Sequence, residues 1–322
     1  MNSGALSNSP SRTCLYVAAG RALGAREPDI AIRNPDYLAE RLLGPEERAM
    51  VADQAVVQAL DQDIANIHQN PEALGSMVMM IIRTRFIEER LEQAIRDGAS
   101  QVVILGAGFD TRAYRLTELL KAARVFEVDQ PSTQEYKKRR IRETGIEVPP
   151  NLTYVAIDFR HDKLGDVLTA AGYDSTRTTL FIWEGVTMYL PEAAVEETLR
   201  WVAAQATGST IIFDFVGAMV IQFLANVPWD KLPEAAKQGV QRLQRLEAGE
   251  PWIFGLPTDE REFLSKLGLE LRELLPIGGQ ESMKRYLTRS DGTPYIPLPP
   301  LQQQAQAQRG GYCLAEAFVP AR

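Results

Sequence analysis

From residue 101 onward, apolar and β-branched residues gather in short runs at 101–105, 124–128, 152–157, 178–183 and 209–215, with stretches of helical character between them. Runs of this length read as buried strands. Strands alternating with helices imply βαβ units, right-handed crossovers and a parallel sheet. Two further strand candidates lie at 269–275 and 312–319. Ahead of residue 97 the chain reads as helical. The stretch 11–23 is rich in Ala and Leu, and 45–67 spaces Val51, Ala55, Leu60, Ile64 and Ile67 at helical intervals. The stretch 71–96 opens with Pro71, a residue suited to a first turn. Its Met77, Met79 and Met80 read as core packing. Beyond the fifth run, 216–250 reads as a helical insertion interrupted by Pro228 and Pro233. Thr258 and Asp259 cap a helix that runs to Leu267, and 294–308, rich in Pro and Gln, reads as a loop. The expected architecture is one α/β domain with a Rossmann-like sheet. It divides into an N-terminal helical cap (1–97), a core (98–215), a helical lid (216–257) and the C-terminal end of the sheet (258–322).

Composition narrows the partners. The 322 residues are 45% hydrophobic, enough for a sizeable core, and carry a formal net charge of -7. That balance argues against a nucleic-acid partner, which calls for a basic face. The basic run at 137–142 reads as a solvated helix face. Only Cys14 and Cys313 are present, with no CxxC or Cys/His cluster, so neither a disulfide framework nor a metal site is expected. The longest apolar stretch, 216–227, is interrupted by Gln222 and Asn226 and is too short for a membrane span, and 1–12 lacks the apolar core of a signal peptide. A cytoplasmic location is expected.

The strongest local signal is the run from Val102 to Arg112, VVILGAGFDTR. A buried strand enters Gly106 and Gly108 and a helix starts near Thr111, so backbone can approach a nucleotide-like ligand closely. The second strand ends at Asp129, about twenty residues beyond Gly108, the spacing at which an acid meets ribose hydroxyls. The third ends at Asp158 and the fourth at Glu184. Gly, Asp, Asp and Glu thus stand at successive carboxyl ends, where open α/β sheets bind ligands.

The segments LGAGFDTR (105–112), FEVDQP (126–131) and WEGVTMYL (183–190) resemble the leucine carboxyl methyltransferase family. The resemblance runs from the Arg12 helix to the last strand. It implies a class I methyltransferase sheet with an antiparallel last strand and S-adenosylmethionine as cofactor, S-adenosylhomocysteine being the product. It places Gly106 and Gly108 beside the methionine part of the cofactor, Asp129 on the ribose, and Asp158 with the Phe159 backbone on adenine. Glu184 would face the ammonium group and Arg83 the cofactor carboxylate, for which a bidentate fork is suited. Tyr189 would border the methyl group, and Arg12 would lie near the cofactor or substrate carboxylate. This chain has Phe159 and Thr187 where the family commonly has leucine.

A nicotinamide-dependent dehydrogenase also fits a Gly-x-Gly with a distant acid, but Thr111 occupies the place of the third glycine that packs under a pyrophosphate. A non-catalytic binding module is the other alternative, and the intact row of acids counts against it. Two histidines occur, His161 in a loop after the third strand and His68 on an N-terminal helix. Neither is oriented as a base by its sequence context. A carboxylate acceptor is ionised at neutral pH and needs no base, whereas a hydroxyl does. The expected reaction is therefore O-methylation of a carboxylate on a small metabolite, a biosynthetic intermediate, with a hydroxyl acceptor as the runner-up. Arg12, Arg83 or Arg85 would steer the anion. Phe223, Trp229 and Trp252 are candidates for the pocket wall.

Overall fold

The structure is a computed structural model and describes residues 11–53, 76–158, 161–226, 250–296 and 311–321. Seven strands form one sheet: β1 (Gln101–Leu105), β2 (Arg124–Asp129), β3 (Leu152–Ala156), β4 (Thr179–Trp183), β5 (Thr210–Val216), β6 (Glu270–Pro276) and β7 (Tyr312–Phe318). Their order is β3-β2-β1-β4-β5-β7-β6. The first five are parallel, and β7 inserts antiparallel between β5 and β6. All seven runs read from the sequence are strands, with ends displaced by a residue at most. The chain order reverses between β1 and β4, which opens a crevice at their carboxyl ends.

Helices cover both faces. On the N-terminal side lie α1 (Arg12–Gly24), α2 (Ala39–Leu42), α3 (Pro45–Ala52) and α4 (Ser76–Arg96). Val78, Ile81, Ile82 and Phe86 of α4 recur at three- and four-residue spacing, and all are fully buried. They pack with Ala18 and Ala22 of α1 on Val102 and Ile104 of β1. Met80 is buried as well, in keeping with core packing. Of the expected helix over 45–67, Pro45–Ala52 is seen as α3 and Asp53 is already non-helical; residues 54–67 and 71–75 and His68 lie outside the described residues. After β1 come α5 (Arg112–Arg115) and α6 (Thr117–Leu120), and after β2 comes α7 (Pro131–Thr144). Proline opens α7 and Gly145, in the left-handed region at φ +64°, closes it.

The other face is covered by α8 (Leu164–Ala170), α9 (Glu192–Ala203) and α11 (Glu260–Lys266), whose Leu168, Val195, Leu199, Phe263 and Leu264 pack on Val103, Leu105 and Phe181. Asp259 caps α11 by accepting from the Glu262 amide at 2.8 Å, as its sequence predicts. The insertion after β5 begins with α10 (Ala218–Asn226), and α12 (Gln280–Tyr286) follows β6. Most of the insertion, Trp229 included, and most of the Pro/Gln-rich loop lie outside the described residues. Among the described residues no helix is long and apolar enough to cross a membrane.

The basic run on α7 is not wholly solvated. Lys137 is buried with its Nζ 2.8 Å from Glu127 of β2, and Arg140 turns inward to the Leu43 carbonyl at 2.9 Å. Arg139 and Arg142 do face solvent. A charge buried beside a strand needs a partner, and Glu127 supplies it.

Phe181 sits at the centre of the sheet, fully buried, with the Tyr173 and Trp201 rings at 6.2 and 5.6 Å. Phe181→Ala is expected to cost about 3–5 kcal/mol of stability in denaturant titration, whereas exposed Arg200→Ala on α9 should change it by less than about 0.5 kcal/mol.

Candidate active site

The chain leaves β1 through Gly106 and Gly108, with φ of +64° and +41°. Backbone conformation and space both demand glycine here. A Cβ on Gly106 would lie 2.5 Å from Val186 Cγ2, and one on Gly108 would lie 3.0 Å from Cys14 Sγ. Thr111, at the dehydrogenase third-glycine position, is buried with its hydroxyl on Asp36 at 2.5 Å, so a side chain fills the space that glycine would leave there.

Asp129, at the end of β2, accepts from the Gly108 amide with one carboxylate oxygen and from the Gln130 amide at 2.6 Å with the other. Burial pushes its pKa up, and those two amides oppose the rise. The sequence therefore places glycine turn and acid together as expected. Asp158 lies beyond the end of β3 at the sheet edge, half-buried. Its carbonyl accepts from the His161 and Asp162 amides at 2.9 and 2.8 Å, which forms the turn that follows. His161 is exposed and Phe159 lies outside the described residues.

Glu184 follows β4 and is the centre of the site's charge. Its Oε2 accepts from Arg112 of α5 at 2.7 Å, Arg83 of α4 approaches Oε1 at 2.8 Å, and Arg21 of α1 stands 3.8 Å from Oε1. Burial opposes its ionisation, but Arg112, Arg83 and Arg21 overcome that and hold the carboxyl well below the usual carboxylate range. Glu184 Oε1 and Arg83 Nε are close enough for an ion pair, yet among the described residues neither buried atom has a hydrogen-bond partner.

Arg83 also reaches Asp214 of β5 at 3.0 Å and the Tyr312 hydroxyl of β7 at 2.9 Å, while its Nη2 lies 3.2 Å from the Met80 thioether. Asp214 is fully buried. Its Oδ1 accepts from the Gly185 amide at 2.6 Å and its Oδ2 from the Tyr312 hydroxyl. Burial pushes the Asp214 pKa up, with Arg83 and Tyr312 opposing the rise.

A second tier ties the site to the N-terminal helices. Arg21 donates to the Phe109 carbonyl of the glycine turn at 2.8 Å and to Asp36 at 2.9 Å. Arg115 bridges Asp36 and Glu88. Over the strand ends, Cys14 of α1 lies against Gly108, and the Ser11 hydroxyl donates to Glu250 at 2.8 Å. The 250–256 segment returns across the Met188 carbonyl, which accepts from the Ile253 amide at 2.8 Å. Burial and the nearby Asp129 push the Cys14 thiol up to about 12, so it stays neutral.

Other expected site residues are placed as follows. Tyr189 ends a short 3-10 turn (Thr187–Tyr189), half-buried. The Trp252 ring is 6.3 Å from that of Tyr312, and Phe223 on α10 is exposed. Arg12 opens α1, but its side chain lies outside what the structure describes. Arg85 is not brought to the cluster: it holds the Arg33 carbonyl at 3.0 Å and the Ile30 carbonyl at 2.5 Å. Sequence reasoning missed Arg21, Arg112, Asp214 and Tyr312. Asp214 had a legible signal, since an acid inside the apolar strand TIIFDFV must be paired if that strand is central. Among the described residues no cluster of His, Cys, Asp or Glu side chains could hold a metal ion.

Residues 14–203, more than half the chain, match the model of the leucine carboxyl methyltransferase family. A proposed S-adenosyl-L-methionine-dependent methyltransferase of Mycolicibacterium smegmatis is 32% identical over 246 residues, 75% of each chain. Another, from Mycobacterium sp. (strain JLS), is 33% identical over 267 residues, covering 82% of this chain and 84% of its own. In fold, the chain is similar to a proposed methyltransferase of Thermobifida fusca, with a TM-score of 0.51 at 16% identity over 98% of this chain and 97% of that one. A DUF574 family protein of Streptomyces avermitilis gives a TM-score of 0.52 at 15% identity, covering 95% and 97%. Strand order, glycine turn, acid row and these likenesses agree: the chain belongs to the leucine carboxyl methyltransferase family of S-adenosylmethionine-dependent methyltransferases.

Proposed function

We propose that the protein transfers a methyl group to a carboxylate oxygen of a small metabolite, giving a methyl ester. When bound, S-adenosylmethionine supplies an already activated methyl group. The chain's own residues then have to hold donor and acceptor in line and keep water out. One observation favours an acceptor that arrives ionised: the acids at the ends of β1, β2, β4 and β5 are all engaged. Asp110 and Glu184 are paired with Arg112, Asp129 with two backbone amides, and Asp214 with Arg83, Tyr312 and Gly185. Glu184 is held too acidic to take a proton, Cys14 stays neutral, and His161 is exposed beyond β3. A carboxylate acceptor asks for no base.

The residues present fit the cofactor. The Glu184 carboxylate, whose Oε1 has ion-pair contacts but no hydrogen bond among the described residues, suits its ammonium group. The glycine turn, closed to any Cβ, suits close approach of its methionine part, and Asp129 suits its ribose. Asp158 and the Phe159 backbone would hold adenine. Arg83 Nη2, which lies beside the Met80 thioether, and Arg12 are the groups proposed for its carboxylate. The ion-pair cluster of Arg21, Arg83, Arg112 and Arg115 with Asp36, Glu88, Asp110, Glu184 and Asp214 holds one more carboxylate than guanidinium, which suits a ligand of net positive charge. In this reading α1 and the 216–257 insertion form the lid, Tyr189 and Trp252 border the acceptor, and the enzyme works in the cytoplasm on a biosynthetic intermediate.

Asp129→Ala and Glu184→Gln should each weaken S-adenosylhomocysteine binding in isothermal titration by about 1.5–3 kcal/mol, the loss of one charge-assisted hydrogen bond. NAD should give no heat. Wild-type-like affinity in both folded variants would contradict these roles.

The acceptor chemistry is read from the product. The methyl group put on the native substrate should be released by mild alkali and followed by mass spectrometry, as an ester requires. An alkali-stable product would identify a hydroxyl acceptor and overturn the carboxylate assignment.

A further inference from the structure

We infer that Asp214 is a positioning residue for Glu184, acting through Arg83 and the Gly185 peptide. The inference rests on the reading that Glu184 receives the cofactor. Asp214 sits at the carboxyl end of β5, one strand away from Glu184, and is fully buried. Its two oxygens divide their work. Oδ1 accepts from the Gly185 amide at 2.6 Å, and because the peptide is planar this fixes the plane of the bond joining Glu184 to Gly185. Gly185 has φ +69°, a conformation other residues adopt at a cost, so that contact also holds the turn that aims the Glu184 side chain. Oδ2 faces Arg83 Nη1 at 3.0 Å and accepts from the Tyr312 hydroxyl. Tyr312 in turn accepts from the same Arg83 nitrogen at 2.9 Å. Asp214, Tyr312 and Arg83 therefore form a closed ring of contacts that presents Arg83 Nε to Glu184 Oε1 at 2.8 Å.

Without the Asp214 charge, Arg83 has Glu184 as its single carboxylate partner. It would no longer be held from both sides, and the Gly185 amide would lose its charged acceptor, so that Glu184 and the guanidinium beside it lose their fixed placement. Asp214 shares the guanidinium and anchors the Gly185 turn, and so keeps Glu184 in the place where a cationic ligand can meet it. The device works through geometry and charge division, and Asp214 itself needs no contact with cofactor or acceptor.

The test is a titration of S-adenosylhomocysteine into wild type, Asp214→Asn, Glu184→Gln and the double variant. Asn is isosteric and can still accept from Gly185, but it turns an amide donor toward Arg83 and Tyr312. Asp214→Asn is expected to remain folded by circular dichroism and to raise the dissociation constant at least about tenfold. If it acts through Glu184, it should add little in the Glu184→Gln background, since residues working as one unit are not additive. Wild-type-like binding by folded Asp214→Asn, or losses that multiply fully in the double variant, would overturn the inference. Should Asp214→Asn fail to fold, Tyr312→Phe carries the same test. It should give a smaller loss in the same direction, also absent in the Glu184→Gln background, and unchanged affinity would overturn the inference. Absence of binding by wild type would instead overturn the cofactor reading beneath it.

Discussion

A carboxylate removed from water at the end of a central strand must be surrounded by cations, or it will take up a proton. Glu184 meets that requirement with Arg21, Arg83 and Arg112, and much else in the structure follows from it. The three guanidinium groups come from α1, α4 and α5, so one buried charge draws the N-terminal helices onto the strand ends. Each arginine then needs anions of its own, and Asp36, Asp214 and Asp110 supply them from the loop before α2, from β5 and from the end of the glycine turn. Truncating one member of such a network leaves an uncompensated buried charge, whereas an isosteric amide keeps part of its hydrogen bonding.

The same cluster joins fold to chemistry. Arg21 holds both Glu184 and the carbonyl of Phe109, so α1 is registered against the turn whose glycines lie beside it. The helix closes over β1 with apolar contacts as well, Ala18 and Ala22 lying in one cluster with Ile104, Ala107 and Phe109.

Much of the fold was legible because its signals are local. Each strand declares itself by a short apolar run, and the turn after β1 by two glycines, both at positive φ. Asp129, Asp158 and Glu184 could be picked out because acids directly after apolar runs fall at strand ends. The partners of those acids were not legible. Arg21, Arg112 and Tyr312 meet Glu184 and Asp214 through tertiary packing across separations that no spacing rule covers. Lys137 was read as solvated because its neighbours on α7 are, although it faces Glu127 across the helix–sheet interface. Arg85 illustrates the converse: two residues from Arg83 on the same helix, it points to another side and binds loop carbonyls. One sequence step on a helix turns a side chain through about 100°, so neighbours in a motif need not share a site.

The central claim is that the buried Glu184 carboxylate recognises the cofactor's ammonium group. It is tested most directly by comparing S-adenosylhomocysteine with the analogue lacking only its α-amino group, in wild type and in Glu184→Gln, by isothermal titration. The account predicts that wild type prefers S-adenosylhomocysteine by about tenfold or more, and that Glu184→Gln loses most of that preference. Equal discrimination by the two proteins would show that the ammonium group is read elsewhere and would contradict the account.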